Sequence, residues 1–430
     1  MRLRKIVLSL CCMCFVLAAL LAASPASAQG PAPETAGKPT PLHDLVQEAE
    51  RKNPQIAASF HAWQASRNVA NQVSALPETQ LSVQQFSVGS PRPFAGYSNS
   101  NFAYIGFGAS QEIPYPGKRQ LRALVADHEA DSMEAQTDSV RRTVVGNLKM
   151  VYFQLADIQQ TLGVLQNSDE LLNQVEQASE SRYRVGQGNQ QDVLKAQLQH
   201  TKILQEIAHH HQEEGLLEAQ IKQLLGRGQE SPDIVTETLT MRNLPYTAAE
   251  LLQRAREQNP DVHSKEASVS EQESQVDLAH KNFRPDFNVQ YMYQHNASEF
   301  RDYYMATFSI RLPNRGRRKA ELAEAEQNQE RARQEMDSES QRVLSEVQQQ
   351  YVRAKTSEEE LKIYSDGLVP QSDATFRSAL SAYGSNKQDF ESLLSSFLDV
   401  LNLDLEYQSE LVEHETALAE LERLTGVHLQ

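Results

Sequence analysis

The feature that most limits what this chain can fold into occurs twice. Gln111 to Arg122 reads QEIPYPGKRQLR, and Ser309 to Glu321 reads SIRLPNRGRRKAE. Each follows a segment of alternating apolar and polar residues and opens a long run with almost no Gly or Pro. Pro cannot continue a strand ladder and cannot sit deep in a helix, but it can stand where a helix starts. A strand that turns into a very long helix through Pro, Gly and basic residues therefore defines a repeated unit. A repeat of this kind governs the whole fold.

The repeat extends over both halves. KNPQI at Lys52 to Ile56 corresponds to EQNPDV at Glu257 to Val262, and each lies within a helical stretch. Asn53 is placed to cap the helix that Pro54 begins. LEAQIKQLLG at 217–226 and ALAELERLTG at 417–426 correspond at an offset of 200. The reading gives repeat 1 at 42–227, a linker at 228–246 and repeat 2 at 247–427. Period-two patterns predict strands at about 80–88 and 101–113 in the first repeat. They predict strands at about 287–296 and 303–312 in the second.

Between the strands and the next hairpin, Leu148, Val151, Leu155, Ile158, Leu162 and Leu165 fall three and four apart, the seam of a coiled coil. Long helices are expected over 118–182 and 314–379. Each ends at a break, YRVGQGNQQDVL from Tyr183 and AYGSNKQDFESLL from Ala382. Return helices of about half that length follow. The remaining height is assigned to 248–281 beneath the first return helix's end, and to 42–75 beneath the second's.

The first 28 residues have a basic start (Arg2, Arg4, Lys5), an apolar stretch and an A-x-A site at Ala26 to Ala28. That is a secretory signal peptide, and 29–41 is a flexible Pro- and Ala-rich segment after it. Cys11, Cys12 and Cys14 are the only cysteines, so the exported chain is expected to carry no disulfide and no thiolate metal site. The net charge is −16, and without the three basic leader residues it is −16 − 3 = −19. Nucleic acid and anionic membrane surfaces are therefore not expected partners.

Two hairpins are too few to enclose a pore, and an open sheet edge in lipid costs several kcal/mol per unsatisfied group. Copies must pool their strands. Three chains give twelve strands, within the range of membrane barrels, whereas two give eight, whose interior side chains fill. The expected fold is mainly α, in two structural repeats of long antiparallel helices plus a β-hairpin. A trimer then forms a twelve-stranded barrel continued by an α-helical tunnel.

The duplication, the hairpins and the two breaks resemble the TolC family of outer-membrane efflux channels, over essentially the whole exported sequence. The QEIPYPGKR and LPNRGRRKAEL junctions are most similar to its heavy-metal and cation branch. The resemblance implies a homotrimer in outer-membrane lipid of a Gram-negative bacterium, extending into the periplasm. It implies a periplasmic adaptor and an inner-membrane pump as partners, and passive export, here of heavy-metal cations. Multidrug efflux or type I protein secretion through the same channel is the near alternative, and a soluble periplasmic coiled-coil adaptor or scaffold the distant one.

Under the resemblance the breaks lie at the periplasmic tip. The candidate adaptor-contact and entrance residues are Tyr183, Gly186, Gly188, Asp192, Tyr383, Asn386 and Asp389. Asn386 stands where the family usually has Gly, and Asn tolerates the left-handed conformation better than most residues. Asp192 and Asp389 are read either as acidic rings that select cations or as helix caps, roles that can coexist. The barrel–helix junction is assigned to Pro114, Pro116, Gly117, Pro313 and Gly316. Its basic residues, Lys118, Arg119, Arg122 and Arg315 to Lys319, are expected to be solvated.

Phe86, Phe102, Tyr104 and Phe107, with Tyr291, Tyr293, Tyr303 and Tyr304, are assigned to interfacial aromatic girdles. His209 to His211 is not expected to bind metal, because adjacent helical residues point about 100° apart. No cofactor is expected. No nucleophile, zinc or phosphate-loop motif is present, so an enzyme is not expected.

Overall fold

The computed structural model describes residues 39–98, 100, 102–296 and 301–429. The expected leader at 1–28, positions 29–38 after it, Asn101 of the second expected strand and residues 297–300 lie outside the described residues. The first repeat contains α1 (Leu42–Lys52), α2 (Pro54–Ser66), α3 (Val69–Ser74), β1 (Gln80–Phe86), β2 (Tyr104–Ile113), α4 (Lys118–Arg184) and α5 (Gln190–Leu224). The second contains α6 (Ala248–Gln258), α7 (Pro260–Lys281), β3 (Asp286–His295), β4 (Asp302–Arg311), α8 (Arg315–Ile363), α9 (Val369–Gly384) and α10 (Phe390–Thr425). The described residues are mostly helical and hold one small antiparallel sheet in the order β1-β2-β3-β4.

The first hairpin is shorter than its pattern suggested. β1 stops at Phe86, because the Val88 N–H bonds the Ala95 carbonyl and Gly89 takes φ 83°, which carries the chain into its loop. β2 begins only at Tyr104. The second expected long helix is also not uniform. A π-helical turn at Tyr364–Leu368 separates α8 from α9. Pro370 has no N–H to return to the preceding turn, and the ladder widens just before it.

At 67 residues, α4 spans about 100 Å. Its seam is buried as expected: Leu148, Leu155, Ile158, Leu162 and Leu165 are all in the core. Towards the tip, α4 and α5 pack with α9 and α10 around Leu172, Val175, Ile203, Phe376, Leu393 and Phe397. Two further clusters fill the middle of the molecule, one around Leu148, Tyr152 and Ile221, the other around Leu251, Val347 and Leu421. The 228–246 segment is extended but not loose. Ile234 and Leu244 are buried, and the Tyr152 hydroxyl accepts from the Glu237 N–H at 2.8 Å while donating to the Thr40 carbonyl at 3.1 Å.

The half-length helices stack differently from the sequence-based pairing. Asn53 caps α2 through Oδ1, which accepts from the Gln55 and Ile56 N–H groups at 2.8 and 3.2 Å. Its Nδ2 donates to the last-turn carbonyl of α5, Leu224, at 2.8 Å. Asn259 does the same between α7 and α10: Oδ1 accepts from Asp261 and Val262, and Nδ2 donates to Leu424 at 3.0 Å. Thus α5 continues into α2, and α10 into α7. Each stack is made inside one repeat, not between repeats. The reason is the Asn side chain, which joins a free helix C-terminus to a free helix N-terminus and satisfies orphan groups of both.

Candidate functional site

The sheet sorts its side chains by parity. The pairings run without a bulge, Leu81↔Ala109↔Tyr291↔Ala306 and Val83↔Phe107↔Tyr293↔Tyr304 among them. Successive strand residues point to opposite faces. One face therefore carries Leu81, Val83, Phe107, Val289, Tyr291, Tyr304, Phe308 and Ile310, all exposed. The other carries Gln80, Ser82, Gln84, Ser110, Glu112, Asn288, Gln290, Gln294, Thr307, Ser309 and Arg311. On it Arg311 Nη1 donates to Glu112 Oε1 at 2.9 Å, and Ser110 and Asn288 are bonded. An exposed apolar face backed by a bonded polar face suits lipid on one side and water on the other.

The same parity corrects the girdle assignment. Phe107, Tyr291, Tyr293 and Tyr304 lie on the apolar face, but Phe86, Tyr104 and Tyr303 lie on the polar one. Phe86 and Tyr104 stack there with centroids 5.7 Å apart. Phe102 precedes β2 and belongs to neither face.

At the junction, Pro114 and Pro116 end the ladder and Gly117 takes φ 93°, directly before α4. A Cβ on Gly117 would meet only the flexible end of Lys281, 2.9 Å away at Cε, so it is the left-handed angle that calls for glycine here. Lys118 is the correction here. Expected in solvent, it is 1% exposed. Its Nζ donates to the Arg284 carbonyl and to Asp286 Oδ1, both at 2.9 Å, and Asp286 also accepts from the Tyr115 N–H at 2.8 Å. A buried ammonium needs such partners. It fastens the start of α4 to the start of β3. Arg119 donates to the Ser74 carbonyl at 2.6 Å. At the second junction, after Pro313, Asn314 caps α8 by accepting from the Gly316 and Arg317 N–H groups. Gly316 is an ordinary helical glycine; Arg317 and Arg318 both pair with Glu321, Arg317 exposed and Arg318 largely covered.

At the opposite end, the two helix breaks have one backbone geometry. Gly186 has φ 71°, its N–H bonds Tyr183, and Gln187 bonds the Arg182 carbonyl. Asn386 has φ 59°, its N–H bonds Tyr383, and Lys387 bonds Ala382. Both are left-handed helix stops with the paired bonds of a Schellman motif. Asn386 therefore makes with an Asn the same turn that Gly186 makes in the first repeat. Gly188 packs against the end of α4, where a Cβ would lie 3.1 Å from the Tyr183 nitrogen.

The side chains around the two stops differ. Tyr183 is half exposed, whereas Tyr383 is buried, its ring edge-on to Phe390. Burial pushes the Tyr383 hydroxyl above its usual pKa, and nearby Asp192 pushes in the same direction. Asp389 caps α10, accepting from the Ser392 N–H at 2.8 Å, and that bond holds its carboxyl below the usual range. Asp192 is not a cap. The helix starts earlier, at Gln190 after Asn189, so Asp192 falls inside the first turn.

Arg182 was not singled out by the sequence. Its guanidinium lies 4.3 Å over the Tyr383 ring and donates to the carbonyls of Tyr383 and Gln187, both at 3.0 Å, and to Asn386 Oδ1. One side chain thereby ties both breaks together. No local signal marks that tie, because two of its partners, Tyr383 and Asn386, lie about 200 residues away in the chain. His209, His210 and His211 pair with Glu213 and Glu214. No group of three or more His, Cys, Asp or Glu able to hold a metal ion occurs among the described residues.

The model of a family described as outer membrane efflux protein matches residues 45–227 and 251–422. Among solved structures, the chain is similar to VceC of Vibrio cholerae, an outer membrane protein, with a TM-score of 0.77, 16% identity, and coverage of 90% of this chain and 97% of that one. It is similar to CusC at a TM-score of 0.77 and 16% identity, covering 90% and 92%. It is similar to the outer-membrane channel OprN at 0.75 and 17%, covering 90% of each. At such identities the likeness is one of fold. No curated protein sequence matches. With the family model spanning both repeats, the chain belongs to the outer membrane efflux protein family, as an outer-membrane channel reaching into the periplasm and not an enzyme.

Proposed function

We propose that three copies of this chain close a twelve-stranded barrel, continued by a helical tunnel, and act as the passive exit of a tripartite efflux system for heavy-metal cations. The observation that carries the assembly is the open four-stranded sheet. β1 pairs only with β2 and β4 only with β3 among the described residues, and the sheet has one exposed apolar face. Open edges beside lipid must be paired. A periplasmic adaptor and an inner-membrane pump are the partners. The tip residues Tyr183, Gly186, Gly188, Asp192, Tyr383, Asn386 and Asp389 form the entrance and the adaptor contact. Asp192 and Asp389 add acidic rings in threefold copy, and Asp389 is also a cap.

Metal cations are supported as cargo by the junction sequences and by the strongly negative chain. A second reading, aromatic organic cargo, is favoured by Phe86, Tyr104 and Tyr303 on the polar face. Membership of the family sets aside the soluble adaptor.

Two experiments test this. Cysteine pairs scanned across the outer edges of β1 and β4 should give disulfide-linked ladders that stop at three chains. Ladders ending at two, or none, defeat the trimer. A strain lacking the gene, challenged with copper, zinc, cobalt and a dye panel, should become metal-sensitive. Sensitivity to dyes alone defeats the metal reading.

A further inference from the structure

The strand register brings together two thioethers. Met292 of β3 and Met305 of β4 are direct cross-strand partners. Both lie on the polar face, where the next partners are Gln290 with Thr307 and Gln294 with Tyr303. Directly opposed residues have Cβ atoms about 5 Å apart, within reach of one ion held between two flexible thioethers. Met292 is 4% exposed and is held in place: Gln294 Nε2 donates to its sulfur at 3.1 Å, and its methyl lies over Gly108, where a Cβ would be 3.7 Å away. Met305 is 48% exposed on that face and open to passing solute.

We propose that Met292 and Met305 form a two-sulfur contact for a soft monovalent cation, copper(I) or silver(I), on the inner wall of the channel. Thioethers are soft, neutral ligands that favour copper(I) over hard or borderline divalent ions. They need no deprotonation, so the contact does not depend on pH. Two neutral sulfurs bind weakly, which a conduit requires, since the ion must leave. The bland role, Met filling the space over glycine, accounts for Met292 but not for an exposed Met305 opposite it. This inference rests on the polar face being the channel wall, and it narrows the proposed cargo to soft ions.

The test is methionine oxidation footprinting of the purified full-length protein in detergent, in chloride-free buffer, with silver nitrate or zinc nitrate as probe. Silver should slow peroxide oxidation of Met292 and Met305 several-fold and leave Met241, outside the sheet, unchanged. Zinc should protect neither. In the volume-conserving variant Met305→Leu, silver should no longer protect Met292. Equal rates with and without silver, equal protection by zinc, or silver protection of Met292 that survives Met305→Leu, each overturns the proposal. Protection in a protein whose deletion strain shows no metal sensitivity leaves the contact and removes the cargo reading. Metal sensitivity without protection does the reverse.

Discussion

Replacing Asn259 tests the idea that one side chain joins two helices end to end. Asn259 is 1% exposed and makes three bonds, accepting from the Asp261 and Val262 N–H groups and donating to the Leu424 carbonyl. Asn259→Ala removes an N-cap, worth about 1 kcal/mol. It also strands the Leu424 carbonyl away from water, at about 1–3 kcal/mol. The sum is about 3 kcal/mol. The informative variant is Asn259→Asp. Aspartate is as good an N-cap as asparagine, so if Asn259 only caps α7, Asp is neutral. If it also joins α10, Asp loses the donor and sets a carboxylate against the Leu424 carbonyl, and it should cost at least as much as Ala. The assay is the thermal midpoint at a fixed scan rate, since unfolding of such a protein is a kinetic measurement. It is paired with protease cleavage near Gly426. An Asn259→Asp protein that melts with the parent would refute the joint. Asn53, with the same three bonds to Gln55, Ile56 and Leu224, should respond in parallel.

Gly117→Ala should destabilise by about 1–2 kcal/mol for its left-handed angle, with the flexible end of Lys281 free to move aside; an unchanged melting midpoint contradicts this. Arg182→Lys should loosen the tip nearly as much as Arg182→Ala, because a point-charge ammonium cannot reproduce a stacked, forked guanidinium; hydrogen exchange at 384–388 reads it, and full rescue by Lys refutes it. The side-chain bond from Arg227 holds the Glu48 carboxyl down at about 2, with Lys52 assisting. A depressed carboxyl contributes stability above its unfolded value of 4.5, lost as pH falls towards 2. Allowing for partial exposure, Glu48→Gln should cost about 2 kcal/mol at pH 7 and almost nothing near pH 2. A penalty independent of pH over that range defeats the assignment. Glu415 works oppositely: burial pushes its carboxyl up, so it is favoured at low pH and costs stability as pH rises.

Much of this molecule is local. The period-two and heptad patterns, the Pro and Gly at the junctions, and the left-handed stops at Gly186 and Asn386 each follow from a few adjacent residues. Sequence alone was therefore enough for the long helices in outline, the existence of the four strands and the repeat, but not for the π-helical turn at Tyr364–Leu368 or the shorter first hairpin. It was also enough to demand more than one copy, because hydrogen-bond satisfaction in lipid is a rule about strand number. Tertiary structure decided what depends on distant partners. Lys118 looked like one of several solvated basic residues until Asp286 and the Arg284 carbonyl, far along the chain, were seen to bury it. Asn53 announced its cap but not its bond to Leu224, which reversed the expected stacking of the half-helices. Asp192 looked like a cap because only the folded turn reveals that the helix begins at Gln190. The cross-strand register, which no single strand encodes, set Met292 opposite Met305 and moved Phe86, Tyr104 and Tyr303 to the polar face. Local patterns fix what an element is; the partner of a long side chain is fixed only when the elements meet.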